Sequence, residues 1–87
     1  MARVFIPAQW RDLSGGTADV QLEGATVAQI IDALDARFPG MAERARDEEG
    51  IAAGLAVSID DVITSRGLRA KVAADSEVHF LPAIGGG

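Results

Sequence analysis

The stretch TVAQIIDALDARFPG, Thr26 to Gly40, decides how the rest of this 87-residue chain is read. Val27, Ile30, Ile31, Leu34 and Phe38 recur at spacings of three, four and seven, which puts all five on one face of an α-helix. Asp32 and Asp35 fall off that stripe. Thr26 supplies a side-chain oxygen for the N-cap, and Pro39-Gly40 closes the element. No other segment is both long and helically periodic. A single apolar stripe has to be buried against something, and the sequence on either side supplies a sheet.

Before the helix, Arg3–Pro7 (RVFIP) reads as a strand with Val4 and Ile6 on one face and Phe5 on the other. The Ser14–Thr17 run (SGGT) is a turn. Asp19–Glu23 alternates Val20 and Leu22 with polar residues, so the chain opens on an antiparallel hairpin. After the helix, Met41–Arg46 is expected as a short second helix and Asp47–Gly50 as an acidic loop, both on solvated surface. Leu55–Asp60 (LAVSID) is a third strand. Asp60-Asp61 is a turn, since two adjacent carboxylates without His or Glu at ligand spacing make a poor metal site. Ser65–Gly67 turns again, and Leu68–Ala70 is expected as a short edge strand. Glu77–Pro82 (EVHFLP) closes the fold, with Val78 and Phe80 on one face and His79 and Leu81 on the other. The first and last strands, the most apolar, belong together at the centre. The predicted class is α+β: a β-grasp, ubiquitin-like mixed sheet of four to five strands with one main helix on one face. Residues 1–82 form the domain, and 83–87 form a flexible C-terminal diglycine tail.

Composition removes several functions. The formal charge is −5 and no basic run occurs, so the counterion release that drives nucleic-acid binding has no source in the sequence. Without cysteine there is no disulfide, thiolate nucleophile or Cys-ligated metal. The apolar runs are too short for a membrane span, and the N-terminus lacks a signal-peptide layout, so a cytoplasmic protein is expected. The Gly15-Gly16 pair lacks the lysine and helix of a phosphate loop. The one histidine, His79, has no nucleophile paired with it in the sequence. No catalytic site and no metal site is expected, and the chain does not read as an enzyme.

The ending LPAIGGG, Leu81–Gly87, is the unusual part. Glycine loses more backbone freedom on ordering than any other residue. A glycine end is useful where a Cβ would strike the walls of a narrow channel, or where the terminal carboxylate must reach a reactive centre through backbone angles closed to other residues. Pro82 stiffens the exit from the last strand and has no N–H with which to extend it.

RVFIP, the TVAQIIDALDARFPG helix and the DSEVHFLPAIGGG ending together resemble the ubiquitin-like sulfur carriers of the MoaD/ThiS family. The resemblance covers almost the whole chain and is most specific in the last segment: an acidic turn, an apolar strand, a proline and a small-residue tail closing on Gly86-Gly87. Gly85, a third glycine, departs slightly from the pattern. The resemblance implies that an E1-like enzyme of MoeB/ThiF type adenylates the terminal carboxylate with ATP and Mg, and that sulfur then displaces AMP. The sulfur-carrying residue would be Gly87, with Ile84, Gly85 and Gly86 threading partner active sites. No cofactor would be bound by the carrier itself. Ile6-Pro7 followed by Gly-Gly, the Phe38–Arg44 run and the Leu-Pro-Ala ending are closest to CysO-like carriers of cysteine biosynthesis. Their acceptor is a PLP-dependent cysteine synthase. Molybdopterin-type carriers, whose acceptor is the large subunit of molybdopterin synthase, share the tail, and thiamin-type carriers are usually shorter.

Strict alternation in the first and last strands leaves Phe5, His79 and Leu81 pointing away from the helix, as a partner-docking face. Two other readings stay open on sequence: a protein modifier joined to lysines through the same glycine, and an interaction module with an idle tail.

Overall fold

The helix forms where its stripe requires. The computed structural model describes residues 1–82, and α1 runs Val27–Arg37. Its start is fixed by two reciprocal bonds: Thr26 Oγ1 accepts from Gln29 N, and Gln29 Oε1 accepts from Ala25 N. This is a capping box with its second bond moved one residue outward. Val27, Ile30, Ile31 and Leu34 are fully buried, and Phe38 packs partly buried at the C-terminal end. Gly24 is required at the approach to the helix. A Cβ there would lie 3.0 Å from both Ile30 N and Ile30 Cδ1.

The sheet beneath it holds β1 (Ala2–Phe5), β2 (Asp19–Leu22), β5 (Leu55–Ile59), β6 (Val62–Ile63) and β7 (Glu77–Pro82), in the order β2-β1-β7-β5-β6. β1 pairs antiparallel with β2 and parallel with β7, and β7 pairs antiparallel with β5. The first and last strands are therefore central neighbours under one helix, which is the β-grasp arrangement. Ala2, Val4, Ile6, Val20, Leu22, Val57, Val78 and Phe80 face α1, and burying each large side chain contributes roughly 1.5–3 kcal/mol.

Three local expectations need correction. Asp47–Gly50 is not a loop but the tip of a separate ribbon, β3 (Arg46–Asp47) with β4 (Gly50–Ile51). The Asp47 side chain accepts from Glu49 N and tightens that turn. Leu68–Ala70 is not the edge strand: residues Gly67–Arg69 form a 3₁₀ turn, entered through Gly67 at φ +57°. The edge is β6, turned back on β5 by Asp60 and Asp61, both left-handed, as a two-residue hairpin with right-handed strand twist requires. The second helix, α2 (Met41–Ala45), does form, but it is not mere surface. Met41 and Ala45 are fully buried, and Asp35 on α1 caps it through Oδ1, accepting from Gly40 N and Ala42 N at 3.0 Å.

The long β1–β2 connection is also structural. Trp10 is buried and packs its ring 5.2 Å from that of Phe80. Asp12 and Arg44 join this connection to α2 through parallel bonds of 2.8 and 2.9 Å. The Arg44 guanidinium holds the Asp12 carboxyl below its usual pKa. Between the 3₁₀ turn and β7, Thr26 bridges Lys71 in antiparallel fashion, and Val72 is buried beside it.

Candidate functional site

The candidate site is the outer face of the sheet together with the end of β7. Register lines up Asp19, Phe5, His79, Ser58 and Ile63 as one row across all five strands. Phe5 and His79, opposite one another on the parallel pair, stack with ring centroids 4.1 Å apart and planes 6° from parallel. Arg3, two residues before Phe5 on the same face, places its guanidinium 5.0 Å from the Phe5 centroid. Asp19 holds that guanidinium from the neighbouring strand, with Nε and Nη2 donating to Oδ2 at 3.2 and 2.7 Å. Glu77 Oε1 lies 3.8 Å from His79 Nε2, beyond hydrogen-bond length. Each ring is thus restrained by its neighbours, and the face presents a pre-organised, half-exposed aromatic surface.

Leu81 stands opposite Ala56, past the end of β1. With Phe5, Pro7, Arg11, Asp19 and His79 it lines a shallow cleft of about 350 Å³. Arg11 Nε donates to Ile6 O at one side of this cleft. Three residues beyond His79, Pro82 pairs with Leu55 at the end of β7, a central strand of the sheet. The other end of β7 is anchored by the β5–β6 turn. Asp60 Oδ1 accepts from Glu77 N and Oδ2 from Ser76 Oγ, each at 2.9 Å. These two donors, the Glu77 amide foremost, lower the Asp60 pKa.

Phe5, His79 and Leu81 are therefore on one face. Ile84, Gly85, Gly86 and Gly87 lie outside the described residues. Arg3, Asp19 and Arg11 belong to the same surface and were missed. Arg3 was legible as a same-face residue two positions from Phe5, but Asp19 and Arg11 required the cross-strand register. Among the described residues no cluster of three His, Asp or Glu side chains is placed to hold a metal. Nor is any helix there long and apolar enough to cross a membrane.

The ThiS family model matches residues 4–87. The chain belongs to the ThiS family. Sulfur carrier protein CysO of Mycobacterium tuberculosis is 33% identical over 89 residues, covering 97% of this chain and 96% of that protein. A chain in the crystal structure of the Amycolatopsis orientalis BexX/CysO complex superimposes with a TM-score of 0.91 at 35% identity, over the full length of both. Small archaeal modifier protein 1 from Methanosarcina acetivorans, at 21% identity and a TM-score of 0.78, shares the fold over 99% of this chain and 95% of its own. In this ThiS-family member the Phe5–His79 stack and the cleft beside Leu81 lie on the central strands that lead to the glycine end.

Proposed function

We propose that this chain is a sulfur carrier whose C-terminal carboxylate, on Gly87, becomes a thiocarboxylate. The carboxylate attacks the α-phosphate of ATP in an E1-like, MoeB/ThiF-type enzyme and releases pyrophosphate. A sulfur nucleophile then displaces AMP from the acyl adenylate. ATP and Mg belong to that enzyme, and the carrier is a co-substrate in the cytoplasm. The observation that carries the reading is the end-to-end match with CysO at one-third identity. Cysteine biosynthesis, with a PLP-dependent synthase as acceptor, is accordingly favoured over molybdopterin synthase.

The chain's own contribution is mechanical. β7 is paired on both sides over Glu77–His79 and continues against β5 to Pro82, which sits opposite Leu55 on the sheet. The outer face, with Phe5, His79 and Leu81, gives the activating enzyme a surface to grip while Ile84–Gly87 extends into its active site. Gly85 and Gly86 carry no Cβ that would collide with a narrow channel.

Mass spectrometry of the C-terminal peptide, after incubation with the cognate lysate, ATP and sulfide, tests this. One oxygen replaced by sulfur on Gly87 is the expected result. The peptide must be localised, because oxidation of Met1 or Met41 adds nearly the same mass. A plain carboxylate, with higher-mass lysine adducts in the same lysate, would make the protein a modifier instead. Deleting Gly86 and Gly87 is expected to abolish charging completely and leave the melting temperature unchanged, because the core of the described residues runs from Ala2 to Phe80.

A further inference from the structure

Carrier chemistry gives no role to a groove at the free edge of the sheet. Among the described residues β6 pairs only with β5, so one side of its backbone is open there. Its Val62 and Ile63 are 67% and 63% exposed. With Ile59 and three cations, Arg66, Arg69 and Lys71, they line a groove of about 580 Å³. The cations are gathered by backbone geometry. The 3₁₀ turn closes with Arg69 N donating to Arg66 O and Ala70 N to Gly67 O, and the Thr26 bridge fixes Lys71. Arg3, Arg44 and Arg46 each face an aspartate. Arg66, Arg69 and Lys71 form no ion pair among the described residues. They are three of only eight Lys and Arg in a chain of charge −5.

Three like charges set together gain nothing from the fold, and two large β-branched side chains beside them stay in water. We propose that this groove docks an acidic segment of a partner protein that also carries an apolar anchor. Its carboxylates meet Arg66, Arg69 and Lys71, and its anchor covers Val62 and Ile63. A free phosphate would satisfy the cations and leave the apolar pair wet. A nucleic acid would bring its dense charge against the acidic remainder of the chain. From the register, with ~3.3 Å per residue along a strand and ~4.8 Å between strands, the groove is about 15 Å from Pro82. A partner can therefore hold this edge without covering the exit of β7, and the proposal stands whether or not Gly87 carries sulfur.

The test uses the full 87-residue chain, ¹⁵N-labelled, and a fluorescein-labelled octapeptide of alternating Glu and Leu. Amide shifts are expected at Val62, Ile63, Arg66, Arg69 and Lys71, with affinity falling as salt rises. The triple variant R66E/R69E/K71E is expected to bind at least tenfold more weakly, and V62S/I63S severalfold more weakly, both with unchanged circular dichroism. Equal binding by either folded variant, or shifts confined to the face of Phe5, His79 and Leu81, would overturn the proposal. Inorganic pyrophosphate or all-Glu peptide binding as well as the Glu-Leu peptide would make the groove a plain anion site. No binding at all, together with aggregation of the triple variant, would instead mean that the cations protect an exposed strand edge from self-association.

Discussion

β1 and β7 show two faces built from alternate residues of the same two strands. On the inner face Val4 and Val78 lie opposite one another, both fully buried beneath α1. On the outer face the adjacent pairs are Arg3 with Glu77 and Phe5 with His79, half in water and held by a stack and an ion pair. The inner face gains from the volume it fills, so it is intolerant of holes. The outer face gains little stability and instead fixes the direction in which its rings and charges point. Core packing and the arrangement of the outer face can therefore be altered separately, although the two sets of residues alternate in sequence.

The sharpest way to break that contrast is to remove atoms from each side. Leu34→Ala, opening a cavity against the sheet, is expected to cost about 2–5 kcal/mol in urea unfolding. A cost below about 1 kcal/mol, the range of a tolerated core swap, would mean the inner face is loosely packed. The Phe5→Ser, Leu81→Ser double variant is expected to lower the melting temperature by only a few degrees, since the lost stack is worth ~0.5–1.5 kcal/mol. Binding to the activating enzyme is expected to weaken at least tenfold. Unchanged binding by this folded variant would remove the outer face from recognition.

The contrast was legible in outline because period-two and period-3.6 patterns assign residues to faces. Helix α1, the hairpin, β5 and β7 all followed from that. Trp10 and Met41 were invisible as core residues because each stands in an irregular or five-residue element with too few positions to show a period. The edge strand was misplaced for a different reason. Val62-Ile63 is too short to alternate, and its identity lies in the left-handed pair Asp60-Asp61 that turns it back on β5. The outer face was legible as Phe5, His79 and Leu81, but its lateral neighbours Asp19 and Arg11 depend on which strand lies beside which.

That turn gives two smaller tests, at the junction where the faces meet. Asp60 is more acidic in the folded protein than in the unfolded chain, chiefly because Glu77 N and then Ser76 Oγ donate to it. Its contribution is therefore complete above the unfolded value, about 3.9, and is lost as pH falls through the lower folded value. Asp60→Asn tolerates the same backbone but lacks the second acceptor oxygen. It is expected to melt a few degrees below the parent at neutral pH, with the gap closing in acid. An equal gap at both would assign the effect to shape and not to charge. Smallest of all, Asp61→Gly relieves a left-handed side chain at φ +69° but gives back unfolded-state entropy. The net gain is expected to be about 0.5 kcal/mol or less by thermal unfolding.

The position of β7 has a consequence for biosynthesis. Without Glu77–Pro82 the remaining strands of the five-stranded sheet are two separate hairpins, because β7 lies between β1 and β5. β7 is thus the plank that joins the sheet, and because it follows the other described strands in the chain, productive folding waits until it has been made. A stalled or nicked chain lacks both the glycine end and the sheet that would present it. Under the carrier reading, proofreading comes free of charge: a molecule able to offer its terminus for activation is one that has already folded.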